Sequence, residues 1–356
     1  MTSDVYSRLS KAYMDGMESA FLPEILELFL SEPEARFLLS LPGTIDDVAS
    51  KLGEERAAVT KTLEEFYKRG FVLRKESTDG MVYALVNDLL DFLLHDKLVF
   101  DRLSDAGLKN HFLDLCNELF EKELSQHPSL SELAVPRARV IPVEKMIPMK
   151  WGEVLPLEKI STVLESATVI AQTECTCRVM ARNCDNPTDV CIIFNDFANI
   201  FIDRGVAQKI TKEEAISILE KCEELGLVHS LNNSDSTGLE FLCNCCTCCC
   251  MVLRGMALMG KEDICFKSRY LSKPNSEKCT ACGICVDRCQ FDAISIKNDK
   301  AIIDEDKCFG CGLCASGCPE EAIELVCVRD HAHITDNLSE EPDNQIETLM
   351  IMKKLP

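Results

Sequence analysis

Eight cysteines between Cys279 and Cys318 fall into two copies of one run, and no other feature restricts the possible folds of this chain as sharply. Cys279, Cys282, Cys285 and Cys289 form C-x₂-C-x₂-C-x₃-C, and Cys308, Cys311, Cys314 and Cys318, followed by Pro319, form it again. A loop with this spacing wraps three thiolates round one face of an iron–sulfur cubane, so the fourth ligand must arrive from a distance. In runs of this kind the fourth cysteine serves the other cluster. The expected sets are Cys279, Cys282, Cys285 and Cys318 for cluster I, and Cys308, Cys311, Cys314 and Cys289 for cluster II. Cys289-Gln290-Phe291-Asp292-Ala293-Ile294 is echoed by Cys318-Pro319-Glu320-Glu321-Ala322-Ile323, which predicts two halves related by a pseudo-twofold axis.

Gly283, Gly310, Gly312 and Gly317 suit loops whose backbone must approach a cluster closely. Residues 273–328 resemble the bacterial-type two-cluster ferredoxins, with one departure: Gln290 stands where the first half usually has proline. That change alters the stiffness and hydrogen bonding of the loop without removing a ligand. Paired zinc knuckles also use C-x₂-C, but they do not ask for four cysteines per unit at this spacing.

The chain has 356 residues, 46% of them hydrophobic, enough for two or three domains. Asp4, Arg8, Lys11, Asp15 and Glu18 interrupt the first stretch, which therefore does not read as a signal peptide or membrane span, and a cytoplasmic location is expected. In that reducing compartment, 22 cysteines are more naturally metal thiolates than disulfides, and anaerobic life is a fair inference. A net charge of −21 repels nucleic acid and anionic membranes and favours basic partner surfaces.

A second concentration of thiols lies upstream. Cys175, Cys177, Cys184 and Cys191 form C-x-C-x₆-C-x₆-C, and Cys243, Cys245, Cys246, Cys248, Cys249 and Cys250 crowd into one octet. Asn186-Pro187 breaks any helix through the first group, so a loop folded round a metal is expected there. Neighbouring side chains diverge on a strand or helix, so the octet cannot converge on one centre. The expected ligand set for a further [4Fe–4S] cluster is Cys177, Cys184, Cys191 and one octet member, with Cys175 as an alternative. Ten thiols leave room for a second cluster, and a structural zinc site or redox-active dithiols are the competing readings. Arg178 and Arg254 are placed to offset cluster charge or to hold a substrate anion, with a solvated or salt-bridged arginine as the ordinary reading. His229 reads as structural, and Cys116, Cys222, Cys265 and Cys327 as small buried hydrophobes.

The motifs Glu174-Cys175-Thr176-Cys177-Arg178, Cys184, Pro187, Cys191, Phe194, Gly226-Leu227-Val228-His229 and Cys243-Asn244-Cys245-Cys246-Thr247-Cys248-Cys249-Cys250 resemble a family of 4Fe–4S proteins of anaerobes. Its members place such a module before a dicluster ferredoxin. The resemblance spans residues 159–328 and implies cluster binding and redox work without a named substrate.

In the N-terminal third, Ile45–Gly53 reads as a capped helix with a glycine turn, Glu54–Arg69 as a second helix, and Phe71–Lys75 with Met81–Val86 as a hairpin, an order resembling a winged helix. Amphipathic helices are expected at Glu18–Leu39 and Leu89–Leu124. Over residues 44–86 seven basic side chains meet eight acidic ones, which favours protein contact over DNA. Thr211-x-x-Glu214 opens a helix that Gly226 ends. His331 and His333 read as part of a solvated tail.

The expected architecture is α+β and multidomain: a winged-helix-like platform (1–132), an extended linker (133–151), a cysteine-rich, mainly helical iron–sulfur domain (152–268), a dicluster ferredoxin domain (269–329) and an acidic tail (330–356). The expected function is low-potential electron relay to or from a redox partner protein, with a homodimer through the N-terminal domain as a further expectation and no membrane insertion. A catalytic subunit with the middle cluster as active site, and a cluster-based transcriptional regulator, are the alternatives. No G-x-G-x-x-G follows a strand and no P-loop is present, so neither a dinucleotide nor a nucleoside triphosphate is expected.

Overall fold

The computed structural model describes residues 4–14, 16–78, 80–86, 105–126, 138–148, 154–232, 240–260, 264–330 and 350–351. The two-histidine tail motif and the first part of the Leu89–Leu124 segment lie outside the described residues. No helix among the described residues is long and apolar enough to cross a membrane.

The N-terminal unit packs helices Asp4–Tyr13, Leu22–Phe29 and Glu32–Leu38 against a helix pair, Ile45–Leu52 and Arg56–Lys68, and a hairpin, Val72–Ser77 with Gly80–Val86. Thr44 caps the first of the pair by accepting from the Asp47 amide, and Gly53 ends it in the left-handed conformation at φ 68°. The short strand Gly43–Thr44 pairs with the far side of the hairpin, and Met350–Ile351 pairs with its end. Helix Ala106–Lys122 closes the unit, burying Phe112 and Leu119.

A seven-stranded sheet forms the middle of the molecule, in the order Cys265–Phe266, Ala138–Val140, Val228–Asn232, Phe241–Cys245, Cys191–Phe194, Ile170–Thr173, Ala207–Lys209. All its pairings are antiparallel except the first. The segment expected as an extended connector thus supplies a strand and the short helix Glu144–Met146. Strand alternation divides the two faces. Ala171 and Ile193 join the N-terminal core, whereas Ile170, Ile192 and Phe194 pack under helices Ile160–Ser166 and Lys212–Glu224. Helix Lys212–Glu224 starts at the expected Thr211/Glu214 capping box. The region combines its helices with this mixed sheet, and the residues that carry the thiols sit on and beside the sheet.

The C-terminal unit has two small sheets, Tyr270–Pro274 with Ile323–Cys327 and Ile294–Lys297 with Lys300–Ile303. Its halves match step for step. Short helices Ile284–Asp287 and Leu313–Ser316 follow Gly283 and Gly312, at φ 84° and 79°. Asp292 and Glu321 occupy equivalent left-handed positions.

Candidate metal centres

In the C-terminal unit, Cys279, Cys282, Cys285 and Cys318 line one cavity together with Gly283 and Ala301. The four thiols therefore converge although Cys318 lies more than thirty residues from the other three. Burial, then the neighbouring Cys282, Cys279 and Cys318, pushes the Cys285 thiol up. The second set answers it. Burial and the nearby Cys314, Cys289 and Cys308 raise Cys311, and Cys314 is pushed up to about 12 by burial and by Cys308 and Cys289. Cys285 and Cys311 thus feel members of their own expected sets, and Cys314 feels Cys285 of the other set as well.

The loops also supply donors to sulfur. The Ala293 amide points at Cys289 Sγ at 3.3 Å and the Ala322 amide at Cys318 Sγ at 3.3 Å, the same turn in each half. Ala301 donates to Cys279 Sγ at 3.4 Å. Cys314 Sγ lies 3.1 Å from Ser272 Oγ. Gly310 has φ 68°, and a side chain there would collide with the Tyr270 carbonyl. Four convergent thiols, amide donors and a tight glycine turn fit a cubane in each half.

The middle thiols divide into two groups. Cys243 and Cys245 flank Asn244 on one strand and so share a face, and Cys191 lies one step beyond the Ile192–Leu242 pair on the adjacent strand. Cys175 precedes helix Thr176–Ala181, Cys177 lies in its first turn, and Cys250 is the cap of helix Met251–Met259. These six form a ring. Cys175 interacts with Cys177 and Cys191, Cys177 with Cys250, Cys250 with Cys245, Cys245 with Cys243, and Cys243 with Cys191. Hydrogen bonds from Cys177 and Cys191 hold Cys175 well below the ordinary thiol range. Hydrogen bonds from Cys243 and Cys250 bring Cys245 to about 6. Contacts within the ring and burial push Cys177, Cys191, Cys243 and Cys250 well up, so Cys175 and Cys245 are the two of the six held as thiolates, the form that ligates metal.

The second group is Cys184, Cys246, Cys248 and Cys249, whose ligand atoms all lie within 4.8 Å of one another. Cys246–Cys249 make the turn between the Phe241–Cys245 strand and the Met251–Met259 helix. Cys184 follows helix Thr176–Ala181, which Arg182 ends at φ 53°. Asn183 Nδ2 donates to the Cys248 carbonyl at 2.8 Å, joining loop to turn. Burial raises Cys184, but hydrogen bonds from the Asn186 amide and side chain and from Cys248 and Cys249 together outweigh it and bring the thiol to about 7. The structure therefore groups Cys184 with the turn thiols and places Cys177 and Cys191 in the ring, a different division from the expected Cys177, Cys184 and Cys191 set.

Arg178 is buried between the groups, donating to the Pro187 carbonyl at 2.5 Å, the Asn244 carbonyl at 3.1 Å and Cys246 Sγ at 3.5 Å. Arg254 instead bonds Glu121 and Asn117 over the Phe120 ring. His229 is structural: Nδ1 lies 2.6 Å from Asn244 Oδ1 and Nε2 3.6 Å from Glu223. Cys116, Cys222 and Cys265 are buried apolar thiols, and Cys327 is half-buried. Sequence reasoning missed the role of Gln290. Its Oε1 accepts from the Thr247 amide at 3.2 Å and hydroxyl at 3.3 Å, and its Nε2 donates to the Gly226 carbonyl at 3.1 Å. The missing proline was the available signal.

Residues 275–323 match the family described as the 4Fe-4S dicluster domain. No curated protein and no solved structure is significantly similar to the chain. The C-terminal unit is thus a 4Fe-4S dicluster domain, and the chain carries a second cysteine-rich region upstream, where Cys184, Cys246, Cys248 and Cys249 are close enough together to hold a metal ion.

Proposed function

We propose that this protein is an electron relay in which a third iron–sulfur cluster, held by the ring of Cys175, Cys177, Cys191, Cys243, Cys245 and Cys250, exchanges electrons with a redox partner through the dicluster domain. The observation that carries this reading is continuity of the apolar cores. Cys245, Cys250 and Cys243 share one core with Cys311, Phe309 and Phe291. Cys314 and Cys289 then share the next with Cys285, Cys279 and Cys318. Phe291 and Phe309 stack at 4.2 Å between ring and second cluster set. Cys282 is exposed, which makes the cluster I end the natural face for a partner. When bound, the clusters supply one-electron chemistry; the chain's own residues orient the thiolates, donate to the sulfurs and exclude water between centres.

The N-terminal unit supports a winged-helix reading by its order of helix, short strand, two helices and hairpin. Its basic side chains favour an internal role over DNA. Lys68 pairs with Asp203 at 3.0 Å, Arg74 pairs with Glu64 and Asp203, and Arg56 pairs with Asp46. Lys68 and Arg74 tie the second helix and the hairpin to the middle unit, where a DNA reader would present them to phosphate.

Iron and acid-labile sulfide counts on anaerobically purified protein test the relay. Three clusters give about twelve irons per chain, falling by about four in a Cys177→Ala/Cys191→Ala variant. About eight irons in both proteins would leave only the dicluster domain and sink the third centre.

A further inference from the structure

Cys184, Cys246, Cys248 and Cys249 differ from every other thiol group in how tightly they close. Cys184 Sγ lies 3.8 Å from Cys246 Sγ and 3.7 Å from Cys249 Sγ, and Cys248 Sγ lies 3.7 Å from Cys249 Sγ. A tetrahedral ion holding thiolates at about 2.3 Å sets them about 3.8 Å apart, because a tetrahedron's edge is about 1.6 times its centre-to-corner distance. A cubane gives each thiolate its own iron, and its four ligands stand farther apart than ligands of a single ion. The molecule contains its own comparison. Among the described residues no other three cysteine, histidine or carboxylate ligand atoms come within 4.8 Å of one another, and that includes both dicluster sets and the six-thiol ring.

We propose that these four cysteines bind a single zinc ion in tetrahedral geometry, a structural staple separate from the iron–sulfur centres. Four thiolates with no further ligand position make a closed site, the arrangement zinc adopts in structural rather than catalytic roles. Four thiolates on a divalent ion leave two negative charges in a half-buried place. Arg178 Nη2, 3.5 Å from Cys246 Sγ, and Asn186 Nδ2, 3.4 Å from Cys184 Sγ, sit where they offset that charge.

The position explains why a staple belongs there. The turn it fixes carries Cys245 and Cys250 on either flank, both ring members, so one closed site holds two ligands of its neighbour in place. The same turn presents Thr247 to Gln290 of the dicluster domain. Zinc has no redox chemistry of its own, so it sets geometry at this junction without adding an electron-accepting state. The assignment stands apart from the third iron–sulfur cluster, because zinc and iron are counted separately.

The test uses the full chain, purified anaerobically after growth with both metals supplied. Elemental analysis should find about one zinc per chain, and zinc-edge X-ray absorption should show four sulfurs at about 2.3 Å with no nearby metal scatterer. A Cys184→Ser/Cys249→Ser variant should lose the zinc while keeping its iron, its labile sulfide and the visible bands of its clusters. Substoichiometric zinc, zinc bound through nitrogen or oxygen, a mononuclear iron signal in its place, or loss of about four irons from the variant would each overturn the assignment. Should the variant not fold, the absorption edge of the parent protein decides alone.

Discussion

Gln290 Oε1 accepts the Thr247 amide at 3.2 Å, which joins the residue after Cys289 to the residue between Cys246 and Cys248. A proline at 290 offers no side-chain acceptor, so the departure from the ferredoxin pattern is what couples the dicluster domain to the cysteine-rich turn. Arg288 reinforces the joint by donating to the Glu223 and Glu224 carbonyls at the end of helix Lys212–Glu224. Cationic groups at that end also meet the negative pole of the helix.

Replacing Gln290 by Ala removes three part-buried hydrogen bonds and should cost about 1–3 kcal/mol. The iron content should stay at the parent value, since no ligand is touched. Urea unfolding followed beside iron analysis checks both. A variant as stable as the parent would mean that Gln290 does not hold the joint.

Arg178 is fixed by two carbonyls and a thiol and is buried. Lysine keeps the charge but not the fork of donors, so Arg178→Lys should still destabilise, by about 3 kcal/mol. Arg178→Met should cost more, because it leaves the two carbonyls without their donor and the thiolates without their nearest cation. Equal stability of the two variants, measured by thermal unfolding, would show that geometry and not charge is what this position supplies.

The two ferredoxin runs were legible because their chemistry is written in local spacing, and each run folds as one loop. The capped helix beginning at Ile45, the capping box at Thr211 and the glycine stops at Gly53 and Gly226 were legible for the same reason. The division of the middle thiols was only half legible. Divergence of neighbouring side chains separates Cys245 from Cys246 and Cys249 from Cys250, but which side Cys184 joins depends on where the loop after Ala181 meets the turn, a long-range contact. The Ala138–Val140 strand was hidden among prolines for a similar reason: its partners, Val228–Asn232 and Cys265–Phe266, lie far along the chain. Asp203 as the partner of Lys68 and Arg74 left no mark in the sequence at all.

Glu223 gives the junction a pH dependence. Burial raises its carboxyl, but the His229 ring 3.6 Å away and the hydrogen bond from Lys145 at 2.7 Å outweigh burial and hold it below its ordinary value of 4.5. A carboxylate depressed on folding contributes stability that is complete above its unfolded value and is lost as pH falls through the folded one. Parent and Glu223→Gln proteins should therefore differ by about 1 kcal/mol at pH 7, and the gap should close below about pH 4. Hydrogen exchange of helix Lys212–Glu224 across that range reads the difference locally. A gap that widens as pH falls would reverse the sign and remove Glu223 as its source.

The most direct prediction concerns Cys318, which stands next to Cys314 in its run yet lines the cavity of Cys279, Cys282 and Cys285. If ligands cross between halves, Cys282 and Cys318 serve one cluster and Cys311 another. A Cys282→Ala/Cys318→Ala protein should then lose about four irons, the number each single variant loses. A Cys311→Ala/Cys318→Ala protein should lose about eight, because it strikes both clusters. Ligation within each run would invert the two results: the first pair would cost about eight irons and the second about four. Iron and labile sulfide on the four proteins, with electron paramagnetic resonance of the reduced samples, separates the cases. Loss of either cluster should also replace the broadened spectrum of two interacting centres in the dicluster domain with that of a single one.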